Sequence, residues 1–423
     1  MHERRDAGKI IAFVMAGGEG KRLNPLTAER CKPAVPFGAR YRIIDFVLSN
    51  LINSGIRANY LLVQYKAQSL IEHIRKAWVI SPLLQDQFVT VVPPQMHKNT
   101  ESFKGTADAV YQSLRLIESH QPDLVAVFGA DHIYRMDIRQ MIRFHRESNS
   151  DVTIAALPVP LDKATSFGVL GTDADGKITE FQEKPAQPKP MPSDPTHAFA
   201  SMGNYIFNAE VLVEALLEAN KRGETDFGHD VLPRLLSTHR LFAYDFASNQ
   251  VPGMKPYEEK AYWRDVGTID AFYEAQRDVL GEKPNFDAFN PQWPIYSSNY
   301  QGPVARILGG NIDNSLFGAS SLIHKDTKII NSIIRREAVI EEGAELEDCI
   351  IMDYVRIGKG AKLKRVIVER HNVIEDNTVI GFSSSEELPS NYHVTPKGIT
   401  VVPRGKVNFF ARDSRKNGTG YME

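Results

Sequence analysis

The chain has 423 residues, with 50 Lys and Arg against 52 Asp and Glu, a formal net charge of −2, and 42% hydrophobic and 24% charged residues. This is globular composition at a length that suggests two or three domains. The near-even charge argues against a nucleic-acid partner, which wants clustered excess Lys and Arg. Two cysteines, Cys31 and Cys349, cannot build a disulfide framework, so a reducing, cytoplasmic setting is expected.

The first predicted element is a strand, Ile10–Ala16. It follows basic Arg4, Arg5 and Lys9, as a signal peptide would, but it is far short of the ~20 residues that span a membrane and runs straight into a glycine loop. Neither membrane nor secretion is expected. In chain order, helical patterns then cover Ile43–Ser54, Gln68–Trp78, Ala107–Ser119 and Ile138–Ser148. Strand patterns cover Tyr60–Val63, Leu124–Phe128, Val152–Ala156 and Met202–Phe207. The alternation predicts an α/β fold, Rossmann-like, with a mostly parallel mixed sheet covered on both faces and ligands held at the carboxyl ends of its strands. Pro185–Pro195 reads as a surface excursion and Gly281–Pro303 as a proline-bearing linker.

Beyond the linker the pattern changes. Ile323, Ile340, Ile357 and Ile374 share one phase of a 17-residue period, and Ile329, Leu346, Leu363 and Ile380 share another. Thr327, Ala344, Ala361 and Thr378 keep a small residue between them, and Ile333, Ile350 and Ile367 mark a third side. Three inward faces per turn, about six residues apart, predict a parallel β-helix of hexapeptides whose coils stack an aliphatic column. A β-sandwich would not keep a fixed period over four turns.

The loop after the first strand, Ala16 to Leu23, contains Gly17, Gly18, Gly20, Lys21 and Arg22. It is no Walker A loop, because Met15 stands at its first glycine and Arg22 at its hydroxyl; Leu23 rules out the dinucleotide fingerprint. Its physics is still that of a phosphate cradle. Glycines admit a close backbone approach, and Lys21, Arg22 and later Lys32 supply charge. Gly105-Thr106-Ala107 opens a helix whose first amides could face a nucleotide. Asp131 follows the strand Leu124–Phe128, and Asp265 precedes the glycine turn at Gly267. Glu183-Lys184-Pro185 and Ser201-Met202-Gly203 lie between them.

These motifs include KPAVPFG from Lys32, RIIDFVLSN from Arg42, GTADAVYQ from Gly105, GADHIY from Gly129 and YWRDVGT from Tyr262. Their content and order, from about Ile10 to Arg404, closely resemble the bacterial glucose-1-phosphate adenylyltransferases. The resemblance implies a nucleotidyltransferase domain over 1–283, a linker over 284–303, and a left-handed β-helix over 304–423 serving regulation and oligomerisation. It implies transfer of the adenylyl group of ATP to glucose 1-phosphate, giving ADP-glucose for glycogen synthesis and releasing pyrophosphate. By the same resemblance Ala16, Gly17, Gly18, Gly20, Lys21, Gln95 and Gly105 hold the nucleotide. Arg22 and Lys32 grip the triphosphate, Asp131 and Asp265 bind Mg²⁺, and Lys184 clamps the sugar phosphate. Gly168, Glu183 and Ser201 contact the glucose. His132 is expected to shape its loop and Trp263 to pack beneath Asp265. A homotetramer with anionic metabolite effectors is implied as well.

The sequence departs from the family at three places. Phe103 and Ser102 replace a usual Tyr and Trp, weakening a glucose contact at Phe103, and Glu29 stands where several relatives use a lysine for a phosphorylated activator. Arg30, Arg404 and Lys406 remain as candidate partners of an anionic effector. Competing readings are a UDP- or dTDP-glucose-forming transferase, a hexapeptide acyltransferase using His324 or His371, and a non-catalytic regulatory subunit. The long motifs oppose the first. Retention of Arg22, Lys32, Asp131, Lys184 and Asp265 opposes the last.

Overall fold

A computed structural model describes residues 8–80, 86–95, 102–382 and 388–405. The described residues divide into two compact units, 8–37 with 41–299, and 38–40 with 300–405. The first is built on nine strands: β1 (Ile10–Ala16), β2 (Ala58–Val63), β3 (Phe88–Val92), β4 (Leu124–Gly129), β5 (Val152–Pro160), β6 (Gly168–Thr172), β7 (Ile178–Glu183), β8 (His197–Asn208) and β9 (Leu241–Asp245). Their order is β7-β6-β8-β4-β1-β2-β3, with β5 pairing β8 and β9. β4, β1, β2 and β3 run parallel, whereas β8 pairs antiparallel with β4, β5 and β6. Side chains alternate between two cores. Ala12, Val14 and Ala16 enter one, and Ile11 and Phe13 the other, so both faces of the sheet are buried, as continuous apolar strands require.

Helices α1 (Ile44–Asn53), α2 (Gln68–Ala77), α5 (Ile138–Glu147) and α6 (Ala209–Arg222) cover the sheet, and α7 (Ile269–Arg277) packs beside the short strand Trp263–Asp265. The single helix expected over Ala107–Ser119 is two, α3 (Thr106–Tyr111) and α4 (Leu114–His120). Buried Ser113 donates its hydroxyl to the Ala109 carbonyl at 3.0 Å, a back-bond that bends a helix. Residues 284–299, expected as linker, belong to the first unit. Phe286 and Trp293 are buried there, and Ser297 donates to buried Asp45 at 2.7 Å.

The second unit is a left-handed parallel β-helix of three sheets. Its registers repeat the sequence period: Ile340 pairs with Ile357 and then Ile374, and Leu346 with Leu363 and then Ile380. The corners turn through left-handed residues spaced the same way, such as Asn314, Asn331, Asp348 and Arg365, or Asp326, Gly343, Gly360 and Asn377. Asn, Asp and Gly tolerate that conformation best. No helix among the described residues is long and apolar enough to cross a membrane.

Candidate active site

The loop after β1 keeps the shape its glycines allow. Gly20 has φ +65°, and a methyl there would lie 3.0 Å from Lys32 Cβ, so a side chain would be both strained and crowded. Thr27 Oγ1 donates to the Gly20 carbonyl at 2.9 Å and fixes the turn. Two of the amides opening α3, expected to face a nucleotide, are engaged within the protein instead. Those of Ala107 and Asp108 donate to the Thr225 carbonyl, at 2.9 and 3.1 Å, and a methyl on Gly105 would approach that oxygen to 2.4 Å. Gly105 lets two segments of the cleft wall touch.

Asp131 leaves the carboxyl end of β4, held by Asn204, whose Oδ1 accepts from Gly129 N–H at 3.3 Å. The next residues, His132–Tyr134, pair antiparallel with Trp263–Asp265, which puts Asp265 opposite His132. Among the described residues, donor atoms of Asp131, His132 and Asp265 lie within 4.8 Å of one another. Lys32 joins the carboxylates: its ammonium donates to Asp131 Oδ2 at 2.9 Å and Asp265 Oδ1 at 2.8 Å. Burial opposes charge on these groups, but the mutual attraction wins, holding Asp131 below the usual carboxylate range and raising Lys32. Burial lowers the His132 pKa, leaving it neutral near pH 7, with its ring 4.7 Å from that of Trp263. A methyl on Gly267 would lie 3.0 Å from Asp265 Oδ2 and 3.2 Å from Arg22 Nη2, so this glycine admits Arg22 beside the acidic pair.

On the opposite wall Glu183 ends β7, with its carboxylate between two glycines. Added methyls would reach its Oε2 at 3.1 Å from Gly168 and 2.7 Å from Gly228. Lys184 is left-handed at φ +45° and its ammonium donates to Glu183. Ser201 sits where β8 bulges against β5, and its hydroxyl accepts from Gly203 N–H at 3.2 Å.

Together these groups enclose a cavity of ≈ 750 Å³. Ala16 to Arg22, Lys32, Phe103, Gly105, Asp131, Glu183 and Lys184 line it as expected. Asp265, Gly168 and Ser201 are not among the lining residues. Gln95 is not brought to it; its amide donates to the Pro93 carbonyl at 2.9 Å. Sequence reasoning missed Gln64, Lys104, Tyr205, Asp226 and Gly228, which also face the cavity. Asp226 carried a usable signal, a cap residue two before a glycine: its carboxylate accepts from Gly228 and His229 N–H and from the Thr106 hydroxyl. Of the expected effector groups, Glu29 is exposed, Arg30 is 2% exposed, and Lys406 lies outside the described residues.

A glycine-walled, cation-bearing cleft over paired carboxylates, followed by hexapeptide coils, defines a nucleotidyltransferase. Residues 11–282 match the Nucleotidyl transferase family model, and 305–402 match GlmU-like, C-terminal hexapeptide. The chain is 55% identical over 397 residues to the glucose-1-phosphate adenylyltransferase of Thermodesulfovibrio yellowstonii, covering 94% of this chain and 96% of that one. It is 46% identical over 411 residues to that of Thermus thermophilus (94% and 98%). It is 41% identical over 405 residues to glucose-1-phosphate adenylyltransferase 1 of Vibrio parahaemolyticus (94% and 98%). The chain belongs to the glucose-1-phosphate adenylyltransferase family.

Proposed function

We propose that this enzyme transfers the adenylyl group of ATP to glucose 1-phosphate, forming ADP-glucose, a glucosyl donor for glycogen synthesis, and pyrophosphate. The observation that carries the reading is the convergence of Asp131 and Asp265 on one point beside the glycine loop and its cations. A phosphate oxygen of glucose 1-phosphate forms the new bond to the α-phosphorus as the α–β bridge breaks. That oxygen is already anionic near neutral pH, since a phosphate monoester has its second pKa near about 6, so no general base is needed. The protein's work is to hold two polyanions in line and absorb charge on the leaving oxygens. Arg22 suits the second task, standing beside Asp265 at the cleft wall. The acidic centre fits Mg²⁺: two hard carboxylate oxygens already share one cation, the Lys32 ammonium. When bound there, the metal would neutralise phosphate charge. Cys31 and Cys349 take no part. Both are free and buried, and burial pushes the Cys349 thiol up to about 12, which suits a cytoplasmic setting. The direct test is pyrophosphate release from ATP and glucose 1-phosphate, with other nucleoside triphosphates as competitors. No turnover with ATP overturns the reading.

Lys184 holds the sugar phosphate in this reading, and its contribution is equal in ground and transition states. Lys184→Ala is expected to raise KM for glucose 1-phosphate roughly 10-fold, the low end for a charge-assisted contact because the side chain is 63% exposed, with kcat nearly unchanged. A collapse of kcat at constant KM would move Lys184 into the chemical step.

Regulation by anionic metabolites in a homotetramer completes the proposal. Exposed Glu29 would repel an activator phosphate by about 4 kcal/mol at 4 Å and an effective dielectric near 20, before screening, which exceeds a typical coupling of ~1–3 kcal/mol. Little activation by fructose 1,6-bisphosphate is therefore expected, and Glu29→Lys should gain it. Strong activation of the wild type, unchanged in the variant, would show that Glu29 does not meet the effector.

A further inference from the structure

Lys32 was expected on the triphosphate, yet its ammonium lies 2.9 Å from Asp131 Oδ2 and 2.8 Å from Asp265 Oδ1. We propose that Lys32 is a latch: in the free enzyme it is the counter-cation of Asp131 and Asp265, and it competes with a divalent cation for the same two carboxylates. The inference rests on the nucleotidyl-transfer reading of the site and adds an order of events to it.

The geometry carries the competition. Mg²⁺ sits about 2.0–2.1 Å from its oxygen ligands, so an ion held by both carboxylates would occupy the space the ammonium fills. Two positive charges cannot share that space. The Lys32 side chain is only 8% exposed, so water does little to soften the exclusion. The carboxylates equally cannot do without a cation, because two anions this close repel.

The latch is built to open. The backbone of Lys32 is fixed in the short turn Lys32–Ala34, with Val35 N–H donating to its carbonyl at 3.0 Å. The motion is confined to the side chain, a compact charge on a flexible four-carbon stem, which an Arg fork would not match. Lys32 also lines the cavity that Lys21 and Arg22 face, so triphosphate oxygens entering there offer the ammonium a second anion. Nucleotide would thus draw Lys32 off the carboxylates and free them for the metal. Metal and nucleotide should arrive cooperatively, and the metal alone should bind weakly.

Mn²⁺ alone is the probe, titrated into nucleotide-free protein while the free ion is counted by electron paramagnetic resonance. Lys32→Met should bind Mn²⁺ at least ~10-fold more tightly than wild type, within the roughly 5–150-fold range of a coupling. Adding Asp265→Asn to that variant should cancel the gain. A wild-type measurement decides the matter if Lys32→Met fails to fold. Acylation of Lys32 by an amine-reactive ester, read by peptide mass spectrometry, should rise several-fold as Mn²⁺ displaces the latch. Equal Mn²⁺ affinity in the two folded proteins, or protection of Lys32 by Mn²⁺, overturns the proposal. Pyrophosphate release separates the two levels. Turnover without competition defeats the latch alone, and absence of turnover defeats the reading beneath it.

Discussion

Asp265→Asn is expected to lower kcat by at least ~10²-fold while leaving the fold intact, the scale of removing one preorganised charge stabiliser from an active site. Asn matches the shape of Asp, and the pairing that places residue 265 opposite His132 is made by the backbone. What disappears is one of the two charges on which Lys32 converges, and with it half of the proposed metal seat. Asp131 stays held by Lys32 at 2.9 Å, so the centre should not come apart. Arg22 would lose the carboxylate beside it, since both approach the position of a Gly267 methyl. Steady-state turnover at saturating ATP, glucose 1-phosphate and Mg²⁺ measures the effect, and circular dichroism checks the fold. Near-wild-type turnover in a folded variant would remove Asp265 from the catalytic set.

The largest loss of stability is expected far from the cleft, at Asp45. This carboxylate is 0% exposed and accepts from four donors: Arg42 N–H at 2.9 Å, His73 Nε2 at 2.6 Å, Trp78 Nε1 at 2.9 Å and the Ser297 hydroxyl at 2.7 Å. It ties α1 and α2 to residues 284–299. Asp45→Ala leaves these donors without their acceptor and should cost at least about 3 kcal/mol, since one buried donor left unsatisfied costs roughly 1–3 kcal/mol. Burial opposes the charge on Asp45, but His73 and the other donors hold its pKa below the ordinary carboxylate value. A lowered folded-state pKa stabilises above the unfolded value, near about 4, and that contribution is lost as pH falls below it. Urea denaturation should therefore show the wild-type advantage in full at pH 7 and shrinking below about pH 4. An advantage that does not change across that window would mean that the Asp45 charge contributes nothing.

The two units differ in how far sequence alone determines them. In the β-helix each coil contacts only the next, so a local period is also the contact map. The isoleucines at 323, 340, 357 and 374 pair in the register their spacing states. In the first unit, sequence determined the buried strands of the parallel half, because runs such as Ile10–Ala16 must be covered on both faces. It did not disclose β6 and β7. Their antiparallel pairing is a local hairpin, but β7 mixes Ile178 and Phe181 with Thr179, Glu180, Gln182 and Glu183, which carries no clear period. The glycine loop and Asp131 were legible because each follows a predicted strand and has residue types suited to phosphate or metal chemistry, whereas Glu183 and Lys184 were legible only through the family motif Glu183-Lys184-Pro185. Which groups touch was left to tertiary structure. The Lys32 ion pairs join residues 99 and 233 positions apart, and the Thr225 carbonyl claims the α3 amides from across the cleft wall. Motifs name the groups a site contains, but a hydrogen bond goes to whichever partner the folded chain brings within about 3 Å, and that is settled only when the sheet is assembled.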